Sequence, residues 1–324
     1  MKNISILVPE SSVMQAIADP QYLFSAVNRF LDVSGKSPLF KVELVGEKKE
    51  VKLNNGMFSV FTDRLVKDIQ HSDLIFIPAL FGDMETAISK NKNLIPWIKK
   101  QYEKGAEIAS LCVGAFLLAA TGLLNGRKCS THWGFQNELR EMFPDVEVID
   151  GRIITEEHRI YSSGGAHSYW SLLLHLVEKY TNRETAILAS KYFAVDIDRD
   201  SQAAFSMFMG QKNHSDTEVK KGQLFIENNF QEKISVDELA DYVSVGRRSL
   251  ERRFKQATNN TVLEYIHRVK IEAAKRSFET SRKNINEVMY DVGYTDTKAF
   301  RTMFKKITGL TPIEYRNKYN KQTI

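Results

Sequence analysis

Three residues in the first half of the chain are of types that do chemistry: Cys112, His132 and Glu10. Cys112 follows Glu107-Ile-Ala-Ser-Leu111, which reads as a strand, and precedes a run from Gly114 to Thr121 that reads as a helix. Strand, nucleophile, helix is the order of a nucleophile elbow, where a sharp turn exposes the side chain and a small residue lets the helix approach. The dipole of that helix would favour a thiolate. Ser130-Thr131-His132 could bring an imidazole beside the sulfur, and Glu10, after the first strand, a carboxylate. Cysteine plus imidazole is the outline of a nucleophile–base pair. The plainer reading is a small buried hydrophobe and a hydrogen-bonded structural histidine. Glu10, Cys112, Val113, His132 and Gly165 are the expected lining of a pocket.

The second half offers cations in a helical pattern. Phe254-Lys-Gln-Ala-Thr258-Asn-Asn-Thr261-Val-Leu-Glu264-Tyr265 returns fifty positions later as Phe304-Lys-Lys-Ile-Thr308-Gly-Leu-Thr311-Pro-Ile-Glu314-Tyr315, identical at six of twelve positions. Such self-similarity marks a repeated structural unit. Before the first copy, Ser235 and Glu238 have capping-box spacing, and Val236, Leu239, Ala240 and Val243 share a helical face. Ser244 can cap a second helix that buries Leu250, Phe254 and Ala257 and exposes Arg247, Arg248, Glu251, Arg252 and Lys255. Before the second copy, Val288, Met289 and Val292 form the first helix, Gly293-Tyr294 the turn, and Thr295 or Asp296 the cap of a helix burying Phe300 and Phe304. Helix, tight turn and basic helix make a helix-turn-helix. Base readers are expected near the start of each second helix: Arg248, Glu251 and Arg252, then Thr297, Lys298, Arg301 and Thr302. Arginine pairs bidentately with guanine, and glutamate accepts from cytosine. Arg247, Lys255, Lys305 and Lys306 are placed for phosphates.

Charge is distributed accordingly. Residues 217–324 hold 21 Lys and Arg against 14 Asp and Glu, a net +7, whereas residues 1–216 hold 24 against 26, a net −2. The positive excess therefore lies with the repeated unit, as a phosphate-binding surface requires. The chain has 324 residues, 43% of them hydrophobic, enough for two packed domains. No stretch approaches the ~18 uncharged apolar residues of a membrane span. Two cysteines form no disulfide framework, which fits a reducing cytoplasm. The start, Met-Lys-Asn-Ile-Ser-Ile-Leu-Val-Pro-Glu, reads as a strand and lacks a signal-peptide pattern.

The elements that must position Cys112 alternate. Strands are expected at Ile4–Val8, Phe40–Val45, Leu74–Pro78, Glu107–Leu111 and near Val146, Ile153 and Tyr161. Helices are expected at Pro20–Leu31, Ile95–Tyr102, Phe135–Met142, Trp170–Tyr180 and Arg183–Phe193. Alternation predicts an α/β domain with a mainly parallel, flavodoxin-like sheet flanked by helices, whose ligands sit beyond the C-terminal strand ends. The predicted organisation is an α/β domain over 1–208, a polar linker over 209–217 and an all-α domain with two helix-turn-helix units over 218–324.

Leu250-x-Arg252-x-Phe254-Lys255, Gly309-x-Thr311-Pro312-x-x-Tyr315-Arg316 and Arg268 through Ala274 resemble the AraC/XylS family of bacterial transcription regulators over roughly 217–318. Val262 departs from that pattern, standing where the first copy usually has the proline that Pro312 supplies in the second. The elbow, Gly122-Leu-Leu-Asn-Gly126, Thr131-His132-Trp133, Phe143-Pro144, Ser163-Gly164-Gly165 and Leu174-His175-Leu176-Val177 resemble the PfpI/class I glutamine-amidotransferase-like fold over roughly 3–205, in the form fused to AraC modules in GlxA-type regulators. Three departures weigh against hydrolysis. Val113 stands where the hydrolases have histidine, Tyr169 and Ser171 where the regulators carry glycine and aspartate, and Arg199-Asp200-Ser201-Gln202 where they carry Arg-x-Gly-Gly-Gln.

Together these features predict a sequence-specific regulator of transcription on double-stranded DNA, with an N-terminal domain that senses a small-molecule effector, dimerises, or both. A homodimer is expected from the resemblance, RNA polymerase is left open as a partner, and neither cofactor nor metal nor membrane is expected. The alternative is a Cys112-dependent amidohydrolase or a thiol redox sensor on a DNA-binding module.

Overall fold

The computed structural model describes residues 1–197 and 201–320. Arg199 and Asp200, from the departing Arg-Asp-Ser-Gln stretch, lie outside the described residues, as do positions 321–324. The chain divides into two compact units, Met1–Gln202 and Ala203–Ile324.

The first unit runs β1 (Lys2–Leu7), α1 (Met14–Val33), β2 (Phe40–Gly46), β3 (Glu50–Leu53), β4 (Phe58–Phe61), β5 (Arg64–Leu65), β6 (Leu74–Ile77), α2 (Met84–Lys90), α3 (Leu94–Glu103), β7 (Glu107–Ser110), α4 (Ala115–Ala120), β8 (Lys128–Cys129), α5 (Gln136–Met142), β9 (Glu147–Val148), β10 (Ile154–Glu157), β11 (Ile160–Ser163), α6 (Tyr169–Tyr180) and α7 (Arg183–Phe193). Its main sheet has the order β10-β11-β7-β6-β1-β2-β5. Every pairing in that sheet is parallel except β10 with β11. β6 and β11 are buried along their whole length, as strands covered on both faces must be. The expected helix at Pro20 starts earlier, at Met14. Pro20 sits inside it, and burial of Ala16 and Ile17 extends the helix across the missing N–H.

The second unit is helical among the described residues: α8 (Thr217–Asn228), α9 (Val236–Tyr242), α10 (Arg247–Thr258), α11 (Val262–Thr280), α12 (Ile285–Asp291), α13 (Thr297–Thr308) and α14 (Pro312–Tyr319). Five of the six repeated identities have structural duties. Phe254 and Phe304 are fully buried. The hydroxyls of Thr258 and Thr308 donate back to the carbonyls of Phe254 and Phe304, at 2.7 and 2.8 Å. Thr261 with Glu264, and Thr311 with Glu314, close capping boxes on α11 and α14. Tyr265 and Tyr315 are buried and donate to Glu227 and Glu279, at 2.7 and 2.5 Å. The shared lysines, Lys255 and Lys305, are exposed and close no core contact or cap.

The two compact units divide between Gln202 and Ala203, and the stretch expected as a polar linker, 209–217, packs within the second unit. Gln223 Nε2 donates to the Gln211 carbonyl at 2.8 Å, Lys212 pairs with Glu227 at 2.6 Å, and Asp216 caps α8 while receiving two 2.7 Å hydrogen bonds from Arg253. Low periodicity there reflects extended chain held by polar side chains, not absence of contact. Ser244 also does not cap α10. It occupies the left-handed turn at φ 56°, and Gly246 stands at the N-cap without a side-chain cap.

Gly293 makes the equivalent turn at φ 73°, where a Cβ would lie 2.0 Å from the Gln231 carbonyl oxygen. Gly293→Ala is therefore expected to destabilise the helical unit by about 1–3 kcal/mol or more. Chemical denaturation followed by helical circular dichroism checks this, and an unchanged midpoint would contradict it.

Candidate functional site

Cys112 occupies the elbow as the sequence pattern requires. It follows β7, adopts φ 55°, and opens a single 3-10 turn, Cys112–Gly114, before α4. A Cβ on Gly114 would lie 2.6 Å from the carbonyl oxygens of Ile77 and Pro78, so glycine is required by the close approach of the β6 end. The elbow backbone is pinned on both sides. The Cys112 N–H donates to Ser163 Oγ at 3.3 Å, and the Thr131 hydroxyl donates to the Cys112 carbonyl at 3.1 Å.

The thiol itself is not activated. Cys112 is 6% exposed, and burial pushes its pKa up to about 12. The expected thiolate is thus corrected: desolvation outweighs whatever a six-residue helix end supplies. The His132 ring is engaged within its own turn. Its Nδ1 accepts the Gly134 N–H at 3.0 Å, which leaves the proton of the neutral ring on Nε2. Burial lowers the His132 pKa, so the ring favours the neutral form. Among the described residues no hydrogen bond joins Cys112 to His132. Glu10 is also apart, its side chain paired with Lys48 and its backbone held by Asn91 at 2.8 Å. Val113 is buried in the elbow turn, and Gly165 packs beside the His132 ring.

Sequence reasoning gave no role to Gln202, which ties these loops together. Its Oε1 accepts from the backbone N–H of Gly165 at 2.9 Å and Trp133 at 3.3 Å. Its Nε2 donates to the carbonyls of Thr131 at 2.9 Å and Arg152 at 3.1 Å. The side chain is 1% exposed and fully used.

A cavity of about 440 Å³ opens where α1, the start of α6 and the end of α7 meet. None of the five expected pocket residues lines it. Its walls include Gln15, Asp19, Trp170, Ser171 and Phe193. Tyr169 and Trp170 both donate to Asp19 Oδ2, at 2.6 and 2.9 Å. Burial, then the Asp19 charge, raises the Tyr169 pKa, which keeps the hydroxyl a donor.

The helical unit presents two matched faces. Arg248, Glu251, Arg252 and Lys255 are exposed on α10; Lys298, Arg301, Thr302 and Lys305 are exposed at corresponding places on α13. Each set follows an i, i+3, i+4, i+7 spacing and so shares one face. Thr297 is half-buried at the first turn of α13, and Lys306 is exposed beside Lys305. Asp296 caps α13 by accepting from the Ala299 N–H. Arg248, Arg252, Lys298 and Arg301 have no carboxylate partner among the described residues. Arg247 is instead engaged with Asp237 at 2.9 Å and Glu251 at 3.5 Å, and Lys255 Nζ donates to the Asn259 carbonyl at 2.8 Å. Exposed pairs of this kind cost about 1 kcal/mol or less to release. Arg253 differs from its neighbours, because Asp216 and Glu218 lock it against the start of α8.

Comparison with known proteins matches both halves. Residues 29–179 match the DJ-1/PfpI family and residues 239–318 a helix-turn-helix domain. The chain joins a DJ-1/PfpI domain to an AraC-type helix-turn-helix domain. It is 27% identical over 232 residues to the HTH-type transcriptional regulator GbdR of Pseudomonas aeruginosa, a match covering 70% of this chain and 62% of that protein. It is 24% identical to the HTH-type transcriptional regulator CdhR of the same species, covering 96% of this chain and 90% of that one. The solved structure of an AraC family transcriptional regulator from Pseudomonas putida superposes with a TM-score of 0.51 at 16% identity, covering 60% of this chain and all of that one, a likeness of fold. No helix among the described residues is long and apolar enough to cross a membrane.

A thiol pKa raised to about 12 means that the unfolded chain, with a free thiol near about 8.5, loses its proton first as pH rises. With Cys129 changed to Ser, Cys112 alkylation in the folded protein is expected to stay slow through neutral pH, and stability to fall as pH rises above about 8.5. A reaction midpoint well below that value would contradict the buried-thiol account.

Proposed function

We propose that this chain is a sequence-specific regulator of transcription that binds double-stranded DNA through both helix-turn-helix modules. The observation that carries the reading is the pair of exposed faces on α10 and α13, where Arg248, Arg252, Lys298 and Arg301 have no carboxylate partner among the described residues. Arg248, Glu251 and Arg252 would read bases from α10; Thr297, Lys298, Arg301 and Thr302 would read from α13. Lys305 and Lys306 suit phosphates as they stand, and Arg247 and Lys255 would join them by exchanging weak surface partners.

The conserved architecture of the repeat hides a chemical difference. At matching positions Arg248 faces Lys298, Glu251 faces Arg301, and Arg252 faces Thr302. Two readers with different donors and acceptors select different bases, so the two half-sites should be unlike. The natural separation for paired modules is one helical turn, about 34 Å.

The N-terminal unit is read as the receiver of a small-molecule effector, acting without turnover. Support comes from the relatives' names as regulators, from the cavity between α1, α6 and α7, and from a Cys112 that is protonated and lacks a base. Dimerisation through this unit and contact with RNA polymerase in the cytoplasm fit the same reading. The amidohydrolase and redox-sensor alternatives both need a reactive Cys112, and its burial speaks against them.

Arg252→Ala is expected to lose about 1–3 kcal/mol on the cognate site and little on unrelated DNA. Equal weakening on all sequences would remove Arg252 from the base readers. Lys305→Ala should instead weaken binding across sequences and reduce the salt slope by about one. An unchanged slope in titrations from low to high salt would remove it from the phosphate set.

A further inference from the structure

The carboxylate at the cavity between α1, α6 and α7 has an unusual setting. Asp19 is half-buried, and its two partners, Tyr169 and Trp170, are neutral donors that converge on Oδ2. No cation lies within ion-pair distance of it among the described residues, and Oδ1 has no hydrogen-bond partner there. A partly desolvated carboxylate without a counter-charge attracts one, because the neutral donors orient it without cancelling its charge.

The rest of the wall has the same preference. Asp196 adds a second carboxylate and His167 an imidazole, and no lysine or arginine lines the cavity among the described residues. Ser171 is 5% exposed, lines the cavity, and its hydroxyl has no hydrogen-bond partner among the described residues. Its oxygen is reached from the cavity and is free to donate or accept there. Gln15 offers a further amide at the mouth. Trp170, beside Asp19, packs on Phe193 at 4.9 Å between ring centroids, and the two rings give the cavity an aromatic wall. Carboxylates, a free hydroxyl and an aromatic wall together suit a cation with an apolar body.

We propose that this cavity binds a small organic cation carrying N–H donors, an alkylammonium or alkylguanidinium, with Asp19 as its counter-charge. Tyr169 and Trp170 are positioning residues: they hold Oδ2 and leave Oδ1 to the ligand. Ser171 and Gln15 take up further N–H groups, and Trp170 with Phe193 covers the alkyl part. This assignment rests on the reading of the N-terminal unit as the effector receiver.

The test uses the full chain and isothermal titration calorimetry with four probes: n-butylammonium, butylguanidinium, neutral n-butanol and the anion butyrate. The two cations are expected to bind at least about tenfold more tightly than the other two. Tetramethylammonium, which carries the charge without an N–H, should bind more weakly than n-butylammonium; equal binding would overturn the assignment of N–H donors. Asp19→Asn should abolish the cation preference while keeping the thermal transition, and Ser171→Ala should weaken both N–H-bearing cations and leave n-butanol and butyrate unchanged. If Asp19→Asn fails to fold, the wild-type probe series still decides: equal affinity for cation and alcohol, or no binding of either, overturns the site. DNA binding is measured in parallel. Absent cation binding with selective DNA binding intact refutes the cation site alone. Asp19-dependent cation binding without selective DNA binding supports the site and refutes the regulatory reading.

Discussion

One helix constrains the whole DNA-binding half. α11 gives Val262, Tyr265 and Ile266 to the core of the first helix-turn-helix module, and Ile271, Ala274 and Phe278 to the core of the second. Its 19 residues, at about 1.5 Å each, span about 28 Å. Because both cores are built on one rigid rod, neither module can rotate about it without exposing buried aromatics. Phe278 packs edge-on against Phe304 at 5.6 Å, and Tyr265 against Phe254 at 5.2 Å. These contacts tie each recognition helix to α11, so the phase between α10 and α13 follows from helical pitch. Fixed phase is what two readers need to address one face of a duplex.

The N-terminal unit shows how burial settles a contest that residue types leave open. An elbow cysteine beside a histidine is the outline of an enzyme. Here the thiol is sealed, the imidazole spends its acceptor nitrogen on Gly134, and Gln202 fills the space beside Gly164 and Gly165. The strained turn at Cys112 persists because Ser163 and Thr131 hold it. A separate cavity lies on the helical layer, where Tyr169 and Trp170 donate to Asp19.

What was legible in the sequence was local. The run at Leu74–Ile77 is short, apolar and closed by Pro78, Glu107–Ser110 follows the Gly105 turn, and both are strands. Ser235 with Glu238, and Asp296 alone, announce helix starts through their own spacing. The repeat was visible because five of its identities maintain a core, a back-bond or a cap. What escaped depends on partners far along the chain. Asp19 and Tyr169 are 150 positions apart, and Arg253 and Asp216 are 37 apart. No window of sequence joins them. The lining expected around Cys112 was inferred from strand order, and those five residues are not in the wall of the cavity at α1, α6 and α7.

The central claim is that one chain carries two unlike readers in fixed phase. The most direct measurement is selection of randomised duplex DNA by the full chain, followed by footprinting of the enriched sites. The account predicts that each copy of the chain protects two half-sites of different sequence, about one helical turn apart on the same face. Enrichment of two identical half-sites, of a single one, or of no sequence at all would contradict it.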